Sequence, residues 1–301
     1  MAANAQEVVL ITGGTDGLGK ATAVHLAERG YRVIAAGRSA SKRAELTELG
    51  KTRSLPLSTV EMDVCSDASV NAAVQSVIDS YGAIDVLINN AGVGYMAVVE
   101  ELQMEDFKQQ FETNVFGVLR VTQAVLPGMR QRRRGRIVML SSVAGLVSPP
   151  TYGAYSSSKH ALEGLSNALR LELYPFHIAV VLIEPGYIVT NFQQTAKDLA
   201  QRYAESGKSG PYGKIYAGAW AGANDGRKKS KSTPQDCARV ILRAIEAENP
   251  NARYGVTPLA TLVKWAKRWA SDAMVDAFLR KKYGVTRDDP EPAGRRIPKR
   301  V

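Results

Sequence analysis

Short apolar runs alternate with longer amphipathic segments along the first two thirds of the chain. The apolar runs have the length of buried strands, whereas the segments between them repeat their apolar positions with the period of a helix. This alternation is typical of a parallel sheet covered by helices on both faces, so we predict an α/β, doubly wound fold. The predicted strands span residues 8–12, 33–36, 57–62, 84–89, 136–141 and 178–183, and the clearest helices span 20–29, 68–81, 104–130 and 155–174.

The pattern loosens after about residue 190. Residues 191–232 combine a helical piece with small residues and lysines, a composition typical of a lid over a site, and we call this segment the lid. Thr233, Pro234 and Asp236 then predict a capped helix, and one more strand at 253–256 would complete the sheet. We therefore predict a single domain over residues 1–258 that includes the lid.

A basic helical extension is predicted for residues 259–301. Its first helix covers 259–274, a phase break at Val275 starts a second helix to Lys282, and the remaining residues form a frayed tail. Two interpretations of the first helix stay open. It lies on an anionic membrane through its tryptophans and lysines, or it packs on the domain and covers the pocket.

A glycine-rich segment directly follows the first strand and precedes the first helix. Glycine permits backbone angles and close approaches that a β-carbon forbids, and a helix N-terminus attracts a pyrophosphate. In this position the segment predicts a dinucleotide-binding loop. The predicted contacts are Gly13, Thr15, Asp16, Gly17, Leu18 and Gly19.

The end of the second strand bears on the choice of dinucleotide. An acidic residue there would bind the ribose diol of NAD, but the chain has Arg38 followed by Ser39. A guanidinium suits a 2′-phosphate, so we predict that NADP(H) is preferred over NAD(H). Asp16 is expected to offset the charge of Arg38 or to pair with it.

Tyr155 and Lys159 are four residues apart at the start of a predicted helix. This spacing places a phenol and an ammonium on one face, and the ammonium would favour the phenolate. Ser142 at the end of the fifth strand, Asn114, and the Asn90-Ala91-Gly92 segment accompany the pair. With these motifs in order over roughly residues 7–190, the sequence resembles the short-chain dehydrogenase/reductase family.

The resemblance implies a Rossmann-type domain and a role for each matching residue. Tyr155 would be the general acid/base, Lys159 would lower its pKa and bind the nicotinamide ribose, and Ser142 would hold the substrate oxygen. Asn114 would position a water that links Lys159 to solvent. Further cofactor contacts are implied for Asp63, Val64, Asn90, Ala91, Gly92, Pro185, Gly186, Ile188 and Thr190. No metal is needed for this chemistry.

Apolar and aromatic residues predict the substrate class. The proposed pocket wall consists of Gly94, Tyr95, Met96, residues 143–152, Tyr187, Phe192 and the lid aromatics Tyr203, Tyr212, Tyr216 and Trp220. They favour a hydrophobic ketone, aldehyde or alcohol. The segments 141–146 and 159–164 resemble the branch with 17β-hydroxysteroid and retinol dehydrogenases. Reduction of 3-oxoacyl groups on a carrier protein is an alternative, as is a non-catalytic NADP-binding sensor.

Composition changes this picture only in the last quarter of the chain. The content of 45% hydrophobic and 23% charged residues excludes a disordered or fibrous protein. Residues 1–225 carry 21 basic and 21 acidic side chains, whereas residues 226–301 carry 18 against 8, which accounts for the net charge of +10. No recognition motif accompanies this charge, so no nucleic-acid partner is expected, whereas peripheral membrane contact through 259–282 remains open.

Two features predict where the protein resides and how it assembles. Cys65 and Cys237 suggest neither a disulfide framework nor a zinc site, and no apolar run is long enough to cross a bilayer. We therefore expect a cytoplasmic protein, with peripheral membrane association left open. Family resemblance implies a homodimer or homotetramer built on the helices near 111–130 and 155–174.

Overall fold

The computed structural model of the chain describes residues 6–207 and 210–287. All seven strands form one parallel sheet in the order β3-β2-β1-β4-β5-β6-β7. The doubly wound α/β prediction is confirmed. The strands are β1 (Val8–Thr12), β2 (Arg32–Gly37), β3 (Leu57–Glu61), β4 (Val86–Asn89), β5 (Gly135–Leu140), β6 (Ile178–Glu184) and β7 (Arg253–Gly255).

The sheet reverses its strand order at β1. In the middle of the sheet, Ile11 of β1 is aligned with Ala35 of β2 on one side and with Ile88 of β4 on the other. Helical connections leave this point in opposite directions, which opens a crevice beyond the carboxyl ends of β1 and β4. Ligands of open α/β sheets bind in such a crevice.

Helices cover both faces of the sheet. Side chains alternate along each strand, so Leu10 contributes to one core and Val9 and Ile11 to the other. The helices are α1 (Gly17–Glu28), α2 (Ala40–Thr52), α3 (Asp67–Tyr81), α4 (Met104–Phe111), α5 (Gly117–Arg132), α6 (Gly153–Glu172), α7 (Asn191–Gly207), α8 (Gly213–Lys229), α9 (Pro234–Glu246), α10 (Pro258–Trp269) and α11 (Asp272–Tyr283).

Three predicted helical segments differ from the structure. The single helix over 104–130 is interrupted by a π-helical turn at Glu112–Phe116. The lid forms two helices, α7 and α8, instead of one helix followed by a loose connection. The break in the extension falls at Ala270 rather than Val275, because the Ser271 side chain accepts from the Met274 amide and starts α11 there.

The capped helix α9 and the closing strand β7 were predicted correctly. Thr233 and Asp236 form a reciprocal capping box, and Pro234 occupies the first helical position. Val256 continues the edge by donating its amide to the carbonyl oxygen of Glu184, 3.2 Å away. The residues of the predicted tail after Arg287 lie outside the described part of the chain, and the proposed boundary at 258/259 stays a prediction.

The apolar face of α10 is exposed to solvent. Leu262 and Trp265 are each 64% exposed, and Trp269 is 74% exposed. The interpretation in which this helix packs its apolar face on the domain is therefore wrong for these three side chains. Within residues 6–207 and 210–287, no helix combines the length and hydropathy that a bilayer crossing requires.

Candidate active site

The glycine loop lies between β1 and α1 at the carboxyl edge of the sheet. Gly13 and Gly17 have φ values of +60° and +50°, which side chains disfavour. A β-carbon at Gly19 would lie 2.2 Å from the carbonyl oxygen of Gly13, so only glycine lets the loop fold against its helix. The loop thus places the N-terminus of α1 at the crevice, where the helix dipole favours an anion.

Thr12 and Asn90 join this loop to the end of β4. The Thr12 hydroxyl accepts from the amides of Asn90 and Ala91, each at 3.0 Å. The Asn90 side-chain amide donates to the carbonyl oxygens of Thr12 and Gly13, at 2.9 and 3.1 Å. Two predicted segments are thereby brought together. Sequence reasoning missed Thr12, although a polar residue closing an apolar strand before a glycine is a usable signal.

A cluster of charges marks the end of β2. Asp16 caps α1 by accepting from the Gly17 amide at 2.7 Å, and its second oxygen pairs with the ammonium of Lys42. Arg38 is 69% exposed and lies 3.9 Å from Asp63. The structure thus gives Asp16 a partner in Lys42, in the first turn of α2, and pairing of Asp16 with Arg38 stays a prediction. The sequence analysis did not predict a role for Lys42. A lysine in the first turn of a helix is unfavourable for the helix dipole, and this position could have indicated that Lys42 has another role.

The remaining predicted cofactor contacts surround the same crevice. Thr190 lies 3.7 Å from where a β-carbon of Gly17 would be, so the segment after β6 reaches the glycine loop. Gly186 leaves room for Thr257, whose hydroxyl would be 2.3 Å from a β-carbon there. The other predicted cofactor contacts take part in contacts within the protein. Thr15 packs against Gly37, Val64 against Gly117 and Gly92 against Asn114. Leu18 lies in α1, Ser39 caps α2, the Pro185 carbonyl accepts from the Val143 amide, and Ile188 is buried.

Ser142 and Tyr155 meet at the end of β5. The Ser142 hydroxyl accepts from the Ala144 amide at 3.1 Å, which caps a short 3-10 turn, and it also hydrogen-bonds the Tyr155 hydroxyl. Ser142 is therefore both a cap and a partner of the tyrosine. Burial raises the pKa of Tyr155 to about 12, and the hydrogen bond from Ser142 opposes this shift.

Lys159 points past Tyr155 to the end of β5. Its ammonium donates to the carbonyl oxygen of Leu140 at 2.6 Å and lies 5.7 Å from the centre of the Tyr155 ring. Burial lowers the pKa of Lys159 to about 8, and the charge of Glu163 opposes this shift. The expected lowering of the Tyr155 pKa by Lys159 is not observed in this conformation, because the ammonium binds a carbonyl and burial dominates the phenol. At neutral pH the phenol is protonated.

Asn114 lies in the π-helical turn and holds the loop after β4. Its side-chain oxygen accepts from the Val93 amide at 2.9 Å, while its nitrogen donates to the Val93 carbonyl at 3.0 Å and to the Ser158 hydroxyl at 3.1 Å. The extra residue of the π turn is a feature often found at functional sites. Gln110, four residues earlier, accepts from the Tyr95 amide at 2.8 Å and was missed, although its spacing from Asn114 places both on one face.

The sequence analysis also missed two buried carboxylates near Lys159, those of Glu163 and Glu184. Arg253 of β7 donates to Glu163 at 3.0 Å and lies 3.3 Å from Glu184, whose side chain is fully buried. Burial raises the pKa of Glu184, and the charge of Glu163 adds to the shift. Glu163 is four residues after Lys159 on α6, so its charge acts on the Lys159 ammonium.

The lid covers the site but uses its tyrosines differently from the prediction. The hydroxyl of Tyr216 donates to Glu101 at 2.7 Å, and those of Tyr203 and Tyr212 donate to Asp106 and Glu100. These three tyrosines therefore attach the lid to residues 100–106, and we call the three pairs the lid clasp. The prediction that Tyr203 and Tyr212 belong to the pocket wall is corrected, because the cavity is lined by Tyr216 and Trp220 but not by these two tyrosines.

A small cavity of about 10 Å³, the size of one water molecule, lies between the lid and the residues just before α6. Met96, Thr151 and Tyr152 line one side of it, and Tyr216, Ala219 and Trp220 line the other. The Phe192 ring packs against Tyr155 at a centroid distance of 5.7 Å, and the Tyr152 ring lies at 6.5 Å. An aromatic enclosure of this kind excludes water and suits an apolar group beside the tyrosine hydroxyl.

The fold and the site define an oxidoreductase of the Rossmann type that acts on CH–OH groups. The sequence profile of the short chain dehydrogenase family matches residues 7–200, and the chain belongs to this family. The resemblance noted in the sequence is thereby confirmed.

Individual relatives match over most of the chain. It is 35% identical to a 3-ketodihydrosphingosine reductase of Bacteroides thetaiotaomicron over 93% of this chain and 98% of that protein. It is 37% identical to human retinol dehydrogenase 8 over 86% of each chain. A crystal structure of a short-chain dehydrogenase from Streptomyces avermitilis is similar with a TM-score of 0.74 and 29% identity, covering 93% of this chain and 99% of that one.

Proposed function

We propose that the protein is an NADP(H)-dependent oxidoreductase that interconverts an apolar ketone or aldehyde and its alcohol. The observation that carries the proposal is the buried group at the end of β5, in which Ser142 lies beside Tyr155 and the Lys159 ammonium lies 5.7 Å from the centre of the Tyr155 ring. When bound, the dinucleotide supplies the hydride that reduces the carbonyl carbon. The protein groups then stabilise the negative charge that grows on the substrate oxygen.

Each residue of the site has a role in this proposal. Ser142 and Tyr155 donate hydrogen bonds to the substrate oxygen, and Tyr155 gives up its proton as the alcohol forms. Lys159, charged below a pKa of about 8, supports the negative charge that remains on the phenol. Asn114, with Ser158, connects the lysine helix to the loop after β4 and is suited to hold a water there.

The cofactor preference rests on the charges at the end of β2. The crevice fits a dinucleotide. The loop can fold closely against α1 because Gly19 has no β-carbon, and α1 begins at the crevice with its N-terminus. Arg38 and Lys42 would meet a 2′-phosphate, whereas Asp16 and Asp63 are already paired with these cations. Two cations without a free carboxylate favour NADP(H) over NAD(H).

The cavity and the relatives favour a lipid-like substrate. The cavity is lined by apolar and aromatic side chains that include Met96, Ala219 and Trp220. One relative is named a 3-ketodihydrosphingosine reductase and another a retinol dehydrogenase. We therefore place long-chain and cyclic apolar carbonyl compounds first.

The test is a turnover screen that follows the nicotinamide absorbance. Purified protein with NADPH is assayed against straight-chain ketones, retinaldehyde, ketosteroids and 3-oxoacyl thioesters of a carrier protein. Oxidation of NADPH with the apolar carbonyls supports the proposal. Rapid turnover of the thioesters alone would replace it with the carrier-protein reductase, and tight NADPH binding without any turnover would favour the sensor.

We also propose that this is a cytoplasmic protein whose helix α10 contacts an anionic membrane. The support is the exposed face formed by Leu262, Trp265 and Trp269, together with the excess of basic residues in the last quarter of the chain. In a sedimentation assay we expect binding to vesicles with phosphatidylserine, weaker binding to phosphatidylcholine alone, and loss of binding in Trp265→Ala/Trp269→Ala. Equal recovery in the supernatant with both vesicles would refute the contact.

Assembly into a homodimer or homotetramer is part of the same proposal. Phe116 before α5 and Leu171 in α6 are exposed, and both lie on or beside the helices that the family resemblance implicates. Light scattering of the purified protein should give a mass of two or four chains. A mass of one chain would refute this part of the proposal.

A further inference from the structure

Tyr283, the last residue of α11, lies behind the wall of the cavity, although α11 is outside the predicted domain of residues 1–258. Tyr283 is only 3% exposed, although most of α11 lies at the surface. It packs on α8, the lid helix that supplies Tyr216, Ala219 and Trp220 to the cavity. A residue of the C-terminal extension is therefore directly behind one wall of the cavity.

Two glycines of α8 form the seat for this tyrosine. A β-carbon at Gly218 would lie 1.8 Å from the Tyr283 carbonyl oxygen, and one at Gly222 would lie 2.8 Å from its ring. The two glycines are one helical turn apart and lie on one face of α8. Ala219, between them in sequence, belongs to the cavity lining, so the seat and the wall are parts of the same turn of helix.

The Tyr283 hydroxyl continues the contact toward the catalytic tyrosine. The two hydroxyls of Tyr283 and Tyr187 interact electrostatically, and the Tyr187 hydroxyl lies 3.5 Å, oxygen to oxygen, from that of Tyr152. The Tyr152 ring lines the cavity opposite Trp220 and stands edge-on to Tyr155. Tyr283 thus contacts the lid helix α8 through its ring and is connected to Tyr152, on the other side of the cavity, through Tyr187.

We propose that Tyr283 is a specificity-determining residue that sets the separation of the two walls of the substrate cavity. Its ring fixes the distance of α8 from the domain, and its hydroxyl fixes Tyr187 and Tyr152. The part of the substrate held between these walls is the apolar chain or ring attached to the carbonyl carbon. This inference rests on the proposed reductase function and assigns to the extension a share in the choice of substrate.

The test compares four variants on a series of straight-chain methyl ketones of increasing length. Tyr283→Ala removes the ring, Gly222→Ala pushes against it, and Tyr283→Phe keeps the ring without the hydroxyl. Tyr174→Ala is the control, because Tyr174 is 80% exposed and far along the chain from the lid. The readout is the ratio of kcat/KM for long and short ketones, with NADPH affinity measured in parallel.

We expect the ratio to change about tenfold in Tyr283→Ala and in the opposite direction in Gly222→Ala, because the first variant removes the spacer and the second enlarges it. One methylene in an apolar pocket already changes selectivity by about tenfold or more. Tyr283→Phe should restore most of the wild-type ratio. NADPH affinity should stay unchanged in all four variants. Ratios within about twofold of wild type in both Tyr283→Ala and Gly222→Ala would overturn the proposal, given the precision of such ratios.

Hydrogen exchange provides a second readout that needs no turnover. The amides of α8 should exchange faster in Tyr283→Ala and at the wild-type rate in Tyr174→Ala. Unchanged protection of α8 in Tyr283→Ala would contradict the seat itself. If the wild-type protein reduces none of the carbonyl compounds, the proposed function fails and the exchange rates alone decide the role of Tyr283. If it reduces them with unaltered selectivity, only the present inference fails.

Discussion

The sheet-borne half of the site and its helical cover are held in different ways. Ser142, Tyr155 and Lys159 come from the end of β5 and from α6, and they are fixed by backbone groups of the buried core. The lid is held mainly by hydroxyl-to-carboxylate pairs, and α10 leaves Trp265 exposed. The comparison indicates that the proposed catalytic residues are held by contacts within the core, whereas the lid is held by side-chain contacts to a separate segment.

The largest effect is expected from Tyr155→Phe. The variant removes the proton donor but leaves the glycine loop untouched, so turnover should fall by about 10²–10⁴-fold while NADPH affinity stays near the wild-type value. Steady-state assays and calorimetric titration measure the two quantities. Retention of wild-type turnover would remove Tyr155 from the catalytic group. Tyr174→Phe, at an exposed position beyond the end of α6, is the control and should retain the turnover of the wild type.

The next effect concerns the choice of cofactor. Arg38→Asp reverses the charge that would meet the 2′-phosphate, so the ratio of kcat/KM for NADPH over NADH should fall by about ten- to a hundredfold. Lys51→Asp is the control, because Lys51 is an exposed lysine near the other end of α2. An unchanged ratio in Arg38→Asp would show that this arginine does not read the phosphate.

A smaller effect is expected at the lid clasp. Tyr203→Phe removes a buried hydroxyl that donates to Asp106 and accepts from the Gln103 amide at 3.1 Å. The free energy of unfolding should fall by about 1–3 kcal/mol, because the buried Asp106 carboxylate loses one partner and is left with its ion pair with Arg202. Chemical denaturation measures this, with Tyr174→Phe at the surface as the control. Equal stability of the two variants would mean that the clasp does not hold the lid.

The smallest effect is a shift of a pH profile. Lys159 has a pKa of about 8, below its usual value, so it is charged below pH 8 and loses its charge as the pH rises through that value. Reductive kcat/KM should therefore decline on the alkaline side near pH 8. Glu163→Gln removes the negative charge that raises the pKa of Lys159, so the decline should begin at a lower pH.

The pH profile of Glu163→Gln has a matched control on the same helix. Glu172 is exposed near the end of α6, and Glu172→Gln should leave the profile unchanged. A decline that stays in place in Glu163→Gln, or that moves equally in both variants, would contradict the electrostatic link between Glu163 and Lys159.

The sheet with its site residues and the helical lid also differ in how well the sequence predicts them. The strands were predicted to within about two residues, because buried parallel strands are nearly continuous apolar runs. The sequence places Ser142, Asn114, Tyr155 and Lys159 in local motifs, and the structure places Ser142 beside Tyr155 and connects Asn114 to Ser158, one residue before Lys159. Their catalytic roles stay a prediction.

The features that the sequence did not predict depend on tertiary contacts. The π turn at Asn114 follows from its bonds to Val93, which is distant in sequence, and helical periodicity does not reveal it. The lid tyrosines look like pocket residues because aromatic side chains indicate burial, whereas their carboxylate partners are about a hundred residues away. The role of Tyr283 depends on glycines in another helix, which no spacing rule relates to it.

The most direct test of the central claim is oxidation of NADPH by the wild-type protein in the presence of a long-chain ketone, followed at the nicotinamide band beside an identical sample with NADH. The account predicts ketone-dependent oxidation with a clearly higher kcat/KM for NADPH. Tight binding of either dinucleotide with no oxidation in any sample would contradict the claim that Tyr155, Lys159, Ser142 and Asn114 form a working reductase site.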